Sequence, residues 1–355
     1  MTAASLAVVG AGAWGTALAH LAADAGHRVL LWCYEPEVAA AIASDRRNER
    51  YLPGITLAPG VSPTNDLAAA VAAVDAVVLA VPSHAFRTIF ARLAPHLPTG
   101  VPLVSATKGI EVDTLALMTD VMSAVLPRGG HPLAVLSGPS FAAEVARGAP
   151  AAVVLACRDS RTARRLQELL TTASFKLFTA TDVVGVQLGG ALKNVIALAA
   201  GGADGLGFGA NTRAALITRG LAEITRLGVA MGGEPGTFAG LSGLGDLVLT
   251  CTDSQSRNHT VGVRIGRGEV LDRIVSDASF VAEGVKTARA AYALSRKYRV
   301  LMPIVEQVHA VLYEGKDPRK AVTDLMEPAV GNESAKPVQR TDPASGALPA
   351  GSRSG

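Results

Sequence analysis

The chain of 355 residues has little charge imbalance and few cysteines. Its 33 Lys and Arg residues nearly balance 30 Asp and Glu residues, which leaves a net charge of +3 and no long basic or acidic run. We therefore expect no nucleic-acid partner and no attachment to a membrane surface. Cys33, Cys157 and Cys251 are far apart and lack metal-ligand spacing, so we expect inert core residues and no metal site. Such cysteine usage is typical of a reducing, cytoplasmic setting.

The first 23 residues contain no Asp, Glu, Lys or Arg and could be mistaken for a signal or membrane segment. They lack a basic leader, and glycines interrupt the apolar run, so we interpret them as buried core and expect no stable membrane insertion. The length of the chain predicts two domains, and its 49% hydrophobic residues are ample for a sizeable core.

A glycine-rich turn follows the first apolar segment. Residues 6–9 have the character of a short strand, Gly10-Ala11-Gly12-Ala13-Trp14-Gly15 comes next, and residues 16–23 have helical character. Strand, G-x-G-x-x-G and helix in this order predict a dinucleotide-binding site. Gly10 permits the tight turn, Gly12 lets the backbone approach the pyrophosphate, and Gly15 allows close packing of helix on strand.

The residues after the second predicted strand bear on the choice of cofactor. Glu35 lies about where an acid would hold the ribose hydroxyl of NAD. Arg46 and Arg47, further along, could instead accept the 2′-phosphate of NADP. The sequence leaves both NAD and NADP open.

Apolar strands alternate with helical segments up to about residue 180. This alternation predicts an α/β domain over residues 1–180, with a doubly wound parallel sheet whose ligands bind beyond the carboxyl ends of the strands. Lys108 follows the strand predicted at 101–106, and we interpret it as an anion or carbonyl contact. His84 also follows a strand, but it could equally be a loop or capping residue.

From Asp182 to about Met326 the periodicity is helical, which predicts a second, all-α domain over residues 181–327. Within it, residues 201–211 are predicted to be a glycine-rich loop that leads into a helix over 212–226. Residues 328–355 are rich in Pro, Gly, Ser and Ala, and we expect a disordered tail.

The segment 186–200 is an apolar, small-residue helix with a single charged residue, Lys193. On a 3.6-residue period, Lys193 shares its face with Gly189 and Gly190. Burial would lower the pKa of this lysine, so that it could exchange a proton near neutral pH. The alternative is a lysine that extends from the helix into water.

Two further polar clusters lie in the helical region. Asp246 is a lone carboxylate in an uncharged segment punctuated by glycines. Ser256 is a predicted N-cap, which places Arg257 and Asn258 at a helix N-terminus. An arginine with free N–H groups suits a phosphate, whereas the alternative is a capped helix with an exposed arginine.

Together these motifs resemble the bacterial NAD(P)-dependent sn-glycerol-3-phosphate dehydrogenase family, in order and over nearly the whole chain to about residue 326. The matching segments are 9–17, 81–84, 106–109, 137–142, 185–194, 240–252 and 256–258. The resemblance implies a Rossmann-type domain followed by an all-helical domain like that of 6-phosphogluconate dehydrogenase. It also implies a homodimer that interconverts dihydroxyacetone phosphate and sn-glycerol 3-phosphate with NAD(P)H, for glycerophospholipid synthesis.

The resemblance assigns roles to individual residues. Lys193 matches the catalytic proton donor or acceptor, and Lys108 matches a residue that touches both cofactor and substrate. The positions that match substrate contacts are Gly138, Ser140, Asp246, Ser256, Arg257 and Asn258. The positions that match nucleotide contacts are Trp14, Ala142, Val281 and Glu283, together with Arg257; Tyr34 and Tyr51 lie where the family often has adenosine-side contacts.

The chemistry of these residue types agrees with the resemblance. Reducing a ketone requires a hydride at carbon and a proton at the developing alkoxide. Lys193 could supply the proton while Lys108 stabilises charge on the oxygen. Asp246 could bind a substrate hydroxyl or orient Lys193, and both roles stay open. The alternatives are another two-domain dehydrogenase of a 3-hydroxy acid or sugar acid, and a non-catalytic NAD(P)H sensor.

Overall fold

The computed structural model describes residues 3–126, 130–276 and 282–326. Val281, one of the expected nucleotide contacts, and the tail expected at 328–355 lie outside the described residues. Every described strand ends at or before Ala180, and the regular elements described from Val183 onward are helices.

The described residues of the N-terminal half form ten strands. They are β1 (Ser5–Val9), β2 (Arg28–Trp32), β3 (Arg47–Asn48), β4 (Leu52–Thr56), β5 (Val61–Thr64), β6 (Ala76–Leu79), β7 (Leu103–Ser105), β8 (Leu133–Ser137), β9 (Ala151–Cys157) and β10 (Phe175–Ala180). Eight of them make one sheet in the order β10-β9-β8-β7-β6-β1-β2-β5, while β3 and β4 pair separately. The strand order reverses at β1, which lies between β2 and β6.

The central strands are mostly apolar because helices cover both faces of the sheet. In β1, Leu6 and Val8 pack into the core on one face, whereas Ala7 and Val9 pack into the core on the other. Successive side chains of a strand point to opposite faces, so a strand covered on both sides favours apolar residues at nearly every position.

The pairing of β8 with β9 is the one antiparallel contact described within the large sheet; its other pairs are parallel. The parallel doubly wound part therefore extends from β5 to β8. Pro63 is tolerated in β5 because this strand is at the edge of the sheet.

The α-helices described among the strands are α1 (Ala13–Asp24), α2 (Pro36–Asp45), α3 (Leu67–Val71), α4 (Ser83–Leu93), α5 (Met118–Val125), α6 (Ala142–Ala146) and α7 (Ser160–Leu170). Those described in the C-terminal half are α8 (Val183–Gly205), α9 (Ala210–Ala230), α10 (Pro235–Phe238), α11 (Asp246–Thr252), α12 (Arg257–Gly266), α13 (Leu271–Val275), α14 (Glu283–Tyr298), α15 (Pro303–Tyr313) and α16 (Pro318–Met326). A short π-helix, Leu241–Gly245, leads directly into α11.

Helix α8 is the centre of the helical half, and most of its residues are buried. It is long and apolar enough to cross a membrane by length and composition, but 89% of its apolar window is buried inside the protein. An apolar helix enclosed in this way is a core helix.

Helices α8 and α12 pack backbone against backbone. A Cβ built on Gly201 would lie 2.0 Å from the carbonyl oxygen of His259, and one on Gly262 would lie 2.3 Å from that of Leu198. The prediction of a loop over residues 201–211 is therefore wrong for residues 201–205, which are helical. Their glycines serve this close helix contact, and the connection to α9 is only residues 206–209.

Candidate active site

The turn between β1 and α1 has the backbone that the glycine motif predicts. Gly10 has a φ of +113°, and a Cβ on Gly15 would lie 1.9 Å from the carbonyl oxygen of Gly10. Gly12 differs, since no described heavy atom lies within 4 Å of a Cβ built there. Gly12 is also the N-cap of α1 and offers no side-chain cap, so the first N–H groups of the helix are free for an anion.

Two expected nucleotide contacts adjoin this turn. Trp14 lies in the first turn of α1, edge-on to Phe175, and its buried indole N–H has no hydrogen-bond partner among the described residues. Ala142 begins α6 and packs against the same core cluster as Trp14. A free donor beside an open helix N-terminus fits a dinucleotide.

The expected adenosine-side residues lie past the end of β2. Tyr34 is 69% exposed, and its ring meets Trp32 edge-on. The Tyr51 hydroxyl donates to Glu35 Oε1 at 2.7 Å; burial, together with this bond, raises the pKa of Tyr51. Glu35 thus lies next to Tyr51, at the end of β2 where an acid would meet the ribose.

The two arginines considered for a 2′-phosphate already have partners. The Arg46 guanidinium donates twice to the carbonyl oxygen of Leu57, at 2.9 and 3.2 Å. Arg47 is exposed and lies 3.5 Å from a carboxylate oxygen of Glu49.

Asp246 joins Lys193 and Lys108. Its Oδ1 accepts from Lys193 Nζ at 2.5 Å, and its Oδ2 accepts from Lys108 Nζ at 2.7 Å. Asp246 is fully buried at the start of α11, and Lys193 is 7% exposed. Lys193 therefore does not extend into water. Each carboxylate oxygen pairs with one ammonium, which compensates the cost of burying the charges.

Opposing influences act on Lys193. Burial lowers the pKa of its ammonium to about 8, although the negative charge of Asp246 raises it; the positive charge of Lys108 lowers it further. Thr250 also contacts this ammonium and accepts a hydrogen bond from Nζ at 2.7 Å. A lysine with this pKa exchanges protons at physiological pH.

The carboxyl end of β8 supplies a third side of the site. Lys108 donates to the carbonyl oxygen of Gly138 at 2.8 Å, and Ser140 donates to the same oxygen at 2.9 Å. Gly138 has a φ of +143°, and a Cβ there would lie 2.9 Å from Val153. Glycine is required at this turn because the positive φ disfavours a side chain and Val153 leaves no room for one.

The start of α12 has the predicted geometry. Ser256 is the N-cap and accepts from the backbone N–H of His259 at 3.2 Å. Arg257 is exposed in the first turn. Asn258 is buried, and its amide already donates to Asn194 Oδ1 and accepts from the N–H of Gly284, both at 2.9 Å. Asn258 therefore fixes the start of α12 from inside the protein.

Glu283 lies at the start of α14 and is held by one residue of the other half. Its two carboxylate oxygens accept from the backbone N–H of Ser83 at 2.9 Å and from the Ser83 hydroxyl at 2.5 Å. Glu283 is thereby placed at the N-terminus of α4, just beyond the end of β6.

The structure thus gathers most of the expected residues. Lys108, Gly138, Ser140, Lys193 and Asp246 are joined by direct hydrogen bonds, and Asn194 connects Asn258 to this group because its amide donates to the carbonyl oxygen of Lys108 at 3.3 Å. Tyr34 and Tyr51 belong to the far side, beyond β2.

Sequence reasoning missed Thr250, Asn194 and Ser83. Thr250 lies four residues after Asp246, so helical spacing could have indicated it. Asn194 directly follows Lys193, so its position next to that lysine could have indicated it. Ser83 is 200 residues from Glu283, and local sequence carries no signal for such a contact.

The described residues contain no group of three or more His, Cys, Asp or Glu side chains placed to hold a metal ion. The three cysteines are buried and unpaired. Burial raises the pKa of the Cys33 and Cys251 thiols to about 12, so neither is a ready nucleophile.

Two family models match the chain: NAD-dependent glycerol-3-phosphate dehydrogenase N-terminus over residues 5–163, and its C-terminus over residues 182–323. A glycerol-3-phosphate dehydrogenase [NAD(P)+] from Geobacter sp. (strain M21) is 54% identical over 90% of this chain and 96% of its own length. The crystal structure of glycerol-3-phosphate dehydrogenase from Coxiella burnetii is 40% identical, with a TM-score of 0.88, over 92% of this chain and 99% of that one.

The Saccharomyces cerevisiae glycerol-3-phosphate dehydrogenase structure is 26% identical, with a TM-score of 0.78, and covers 92% of this chain and all of its own. Matched family models, the identity to the Geobacter protein and the agreement of fold all point to one assignment. The chain belongs to the NAD(P)-dependent glycerol-3-phosphate dehydrogenase family.

Proposed function

We propose that this protein interconverts dihydroxyacetone phosphate and sn-glycerol 3-phosphate with NAD(P)H. The observation that carries the proposal is the buried Lys108–Asp246–Lys193 bridge, located where the carboxyl ends of β7 and β8 meet α8 and α11. Ligands of doubly wound sheets bind at this edge. A substrate carbonyl placed there would meet two lysine ammonium groups beside a site for a dinucleotide.

Lys193 is the proposed proton donor in the reducing direction and the proton acceptor in the reverse direction. Its pKa of about 8 allows both states near neutral pH. Lys108 stabilises negative charge on the substrate oxygen, since it reaches the same carboxylate from the opposite side.

Asp246 is the proposed orienting group for Lys193. Both of its oxygens are bonded to lysines, which supports this role over direct binding of a substrate hydroxyl. Thr250 has a related task because it accepts from Lys193 and donates back to the carbonyl oxygen of Asp246 at 2.6 Å.

The substrate phosphate is assigned to the start of α12 and to Ser140. Arg257 is exposed and adjoins the buried Asn258, whose bonds fix the helix start. A helix N-terminus with an arginine is a strong phosphate site. Holding the phosphate there would fix the carbonyl relative to the nicotinamide and to Lys193.

The dinucleotide, when bound, supplies or accepts the hydride. Gly10, Gly12 and Gly15 with Trp14 would hold its pyrophosphate, and Glu35 with Tyr51 would face the adenosine ribose. Sequence similarity favours this activity over the other two-domain dehydrogenases and over a non-catalytic sensor.

The wider organisation is part of the proposal. We assign residues 1–180 to the dinucleotide-binding domain and residues 181–327 to the substrate domain, supported by the change from strands to helices between Ala180 and Val183. A cytoplasmic location is supported by three buried, unpaired cysteines. A homodimer, expected from the family resemblance, would elute at twice the chain mass of 36.3 kDa in light-scattering chromatography.

The decisive experiment is oxidation of NADH and NADPH at 340 nm with purified protein, with and without dihydroxyacetone phosphate. Oxidation that depends on this ketone is the expected result, and the ratio of the two rates gives the cofactor preference. Cofactor binding without ketone-dependent oxidation would instead support the sensor. Oxidation driven only by a 3-oxo acid or an oxidised sugar acid would support another dehydrogenase.

A further inference from the structure

The position of Ser83 relative to a bound dinucleotide follows from the order of the strands. The strand order reverses at β1, so a dinucleotide whose pyrophosphate lies at the β1–α1 turn extends over β2 on one side and over β6 on the other. The acid Glu35 follows β2 and marks the adenosine side. The nicotinamide side is therefore beyond β6, where the chain continues through Pro82 into Ser83, the first residue of α4.

At this position Ser83 holds Glu283 with two hydrogen bonds. The serine is 3% exposed, and it uses both its backbone N–H and its hydroxyl, one on each carboxylate oxygen. The carboxylate also lies at the N-terminus of α4, where the helix dipole favours negative charge. Each oxygen of Glu283 keeps a lone pair that can accept from a ligand N–H or O–H.

The pair also touches the loop that carries Lys108. A Cβ built on Gly109 would lie 2.6 Å from Ser83 Cβ and 2.9 Å from Glu283 Oε2. Gly109 therefore has no room for a side chain, and its backbone packs against both partners.

These contacts complete a closed ring around the site. It runs from Lys108 to Asn194, on to Asn258 and Gly284, and through Glu283 and Ser83 to Gly109, which is bonded to Lys108 in the chain. The ring has members from α4, the loop after β7, α8, α12 and α14. Ser83 is the member that ties α14 to the sheet.

We propose that Ser83 is a positioning residue for the nicotinamide half of the cofactor, acting through Glu283. Without its hydroxyl, one of the two bonds that aim the carboxylate is lost, and Glu283 can turn away from the cofactor. The proposal rests on the proposed function in one respect, namely that NAD(P)H is the ligand of this site.

The test is the dissociation constant of NADH for Ser83→Ala, measured by nicotinamide fluorescence without substrate. Hydrogen bonds to charged groups are among the stronger ones, so we expect NADH to bind about tenfold more weakly. ADP, which has the adenosine half and the pyrophosphate but no nicotinamide, should bind S83A and the unaltered protein equally in calorimetry. Ser83→Thr, which keeps the hydroxyl, should restore NADH binding to within about twofold.

Ser295→Ala is the matched control, since Ser295 is a buried serine of α14 whose hydroxyl donates within the helix to the carbonyl oxygen of Tyr292. It should leave both dissociation constants unchanged. Unchanged NADH binding by S83A would overturn the proposal. The proposal would also be overturned if S83A bound NADH and ADP equally weakly and melted far below S295A, because that pattern indicates a structural role. Failure of the unaltered protein to reduce dihydroxyacetone phosphate would refute the proposed function and leave this comparison valid.

Discussion

The ammonium of Lys193 is the most constrained charge of the site. Burial favours the neutral amine, the carboxylate of Asp246 favours the ammonium, and Lys108 beyond it favours the amine again. The resulting pKa of about 8 is far below that of an exposed lysine, so both protonation states are populated in the cell.

The two directions of the reaction should therefore depend oppositely on pH. Ketone reduction needs the charged acid, so its kcat should fall as pH rises through about 8, toward a tenfold loss per unit. Alcohol oxidation needs the neutral amine and should rise over the same range. The measurement is kcat in each direction from pH 6 to 10. Two profiles that move in the same direction would contradict the assignment of Lys193.

Removing the amine should separate chemistry from cofactor binding. We expect Lys193→Ala to lower kcat about a thousandfold or more, within the range for loss of a general acid. Its dissociation constant for NADH should stay within about twofold. Lys176→Ala is the control, because Lys176 is exposed on β10 and donates to the carbonyl oxygen of Thr172, four residues before it. Equal loss of NADH binding in K193A would show that Lys193 serves the cofactor.

For single residues, the sequence identifies isolated charged side chains better than it identifies the residues that bind them. Lys193 is conspicuous as the one charge of an apolar run, but the sequence left open whether it is buried or extends into water, and the coordinates show that it is buried. The choice between two roles for Asp246 needed coordinates, because only they show that both oxygens are taken by lysines. For Asn258 the sequence predicted a helix start correctly, but its amide bonds to Asn194 and Gly284 connect distant segments and leave no local pattern.

Among elements, the contact of α8 with α12 matters most for the site, because it sets where Arg257 and Asn258 begin their helix. The contact depends on glycines that face the other backbone, such as Gly201 and Gly262. Local propensity argues against glycine inside a helix, which is why residues 201–205 were predicted to be a loop. The close approach of two helices overrides that propensity, and a single sequence does not show it.

Two neighbouring glycines of α8 allow a matched test of this contact. A methyl at Gly201 would lie 2.0 Å from the backbone of α12, whereas one at Gly202 would lie 3.8 Å from the carbonyl oxygen of Gly262. Gly201→Ala should lower the unfolding free energy by about 3 kcal/mol and raise KM for dihydroxyacetone phosphate, because α12 must shift. Gly202→Ala should be neutral or stabilise by up to about 1 kcal/mol. Thermal melts and KM values check both, and equal behaviour of the two variants would refute the packing argument.

In the molecule as a whole, Asp246 forms ion pairs that join the two halves. Lys108 comes from the α/β half, whereas Asp246 and Lys193 come from the helical half, and the carboxylate lies between the two ammonium groups. Folding thus places one buried and one partly buried positive charge around a buried negative charge. The arrangement is stable only while the central carboxylate is present.

Asp246→Asn should therefore affect stability and proton exchange together. The buried Lys193 and the partly buried Lys108 would face each other without a counter-charge, which should cost about 3 kcal/mol of unfolding free energy. Because the negative charge that raises the pKa of Lys193 would be gone, the pH profile of ketone reduction should move to lower pH, below about 8. The control is Glu269→Gln, which removes an exposed carboxylate paired with Arg264 and should leave the unfolding free energy nearly unchanged. An unaltered pH profile in D246N, with activity retained, would mean that Asp246 does not govern the proton of Lys193, and the proposed division of roles within the site would fail.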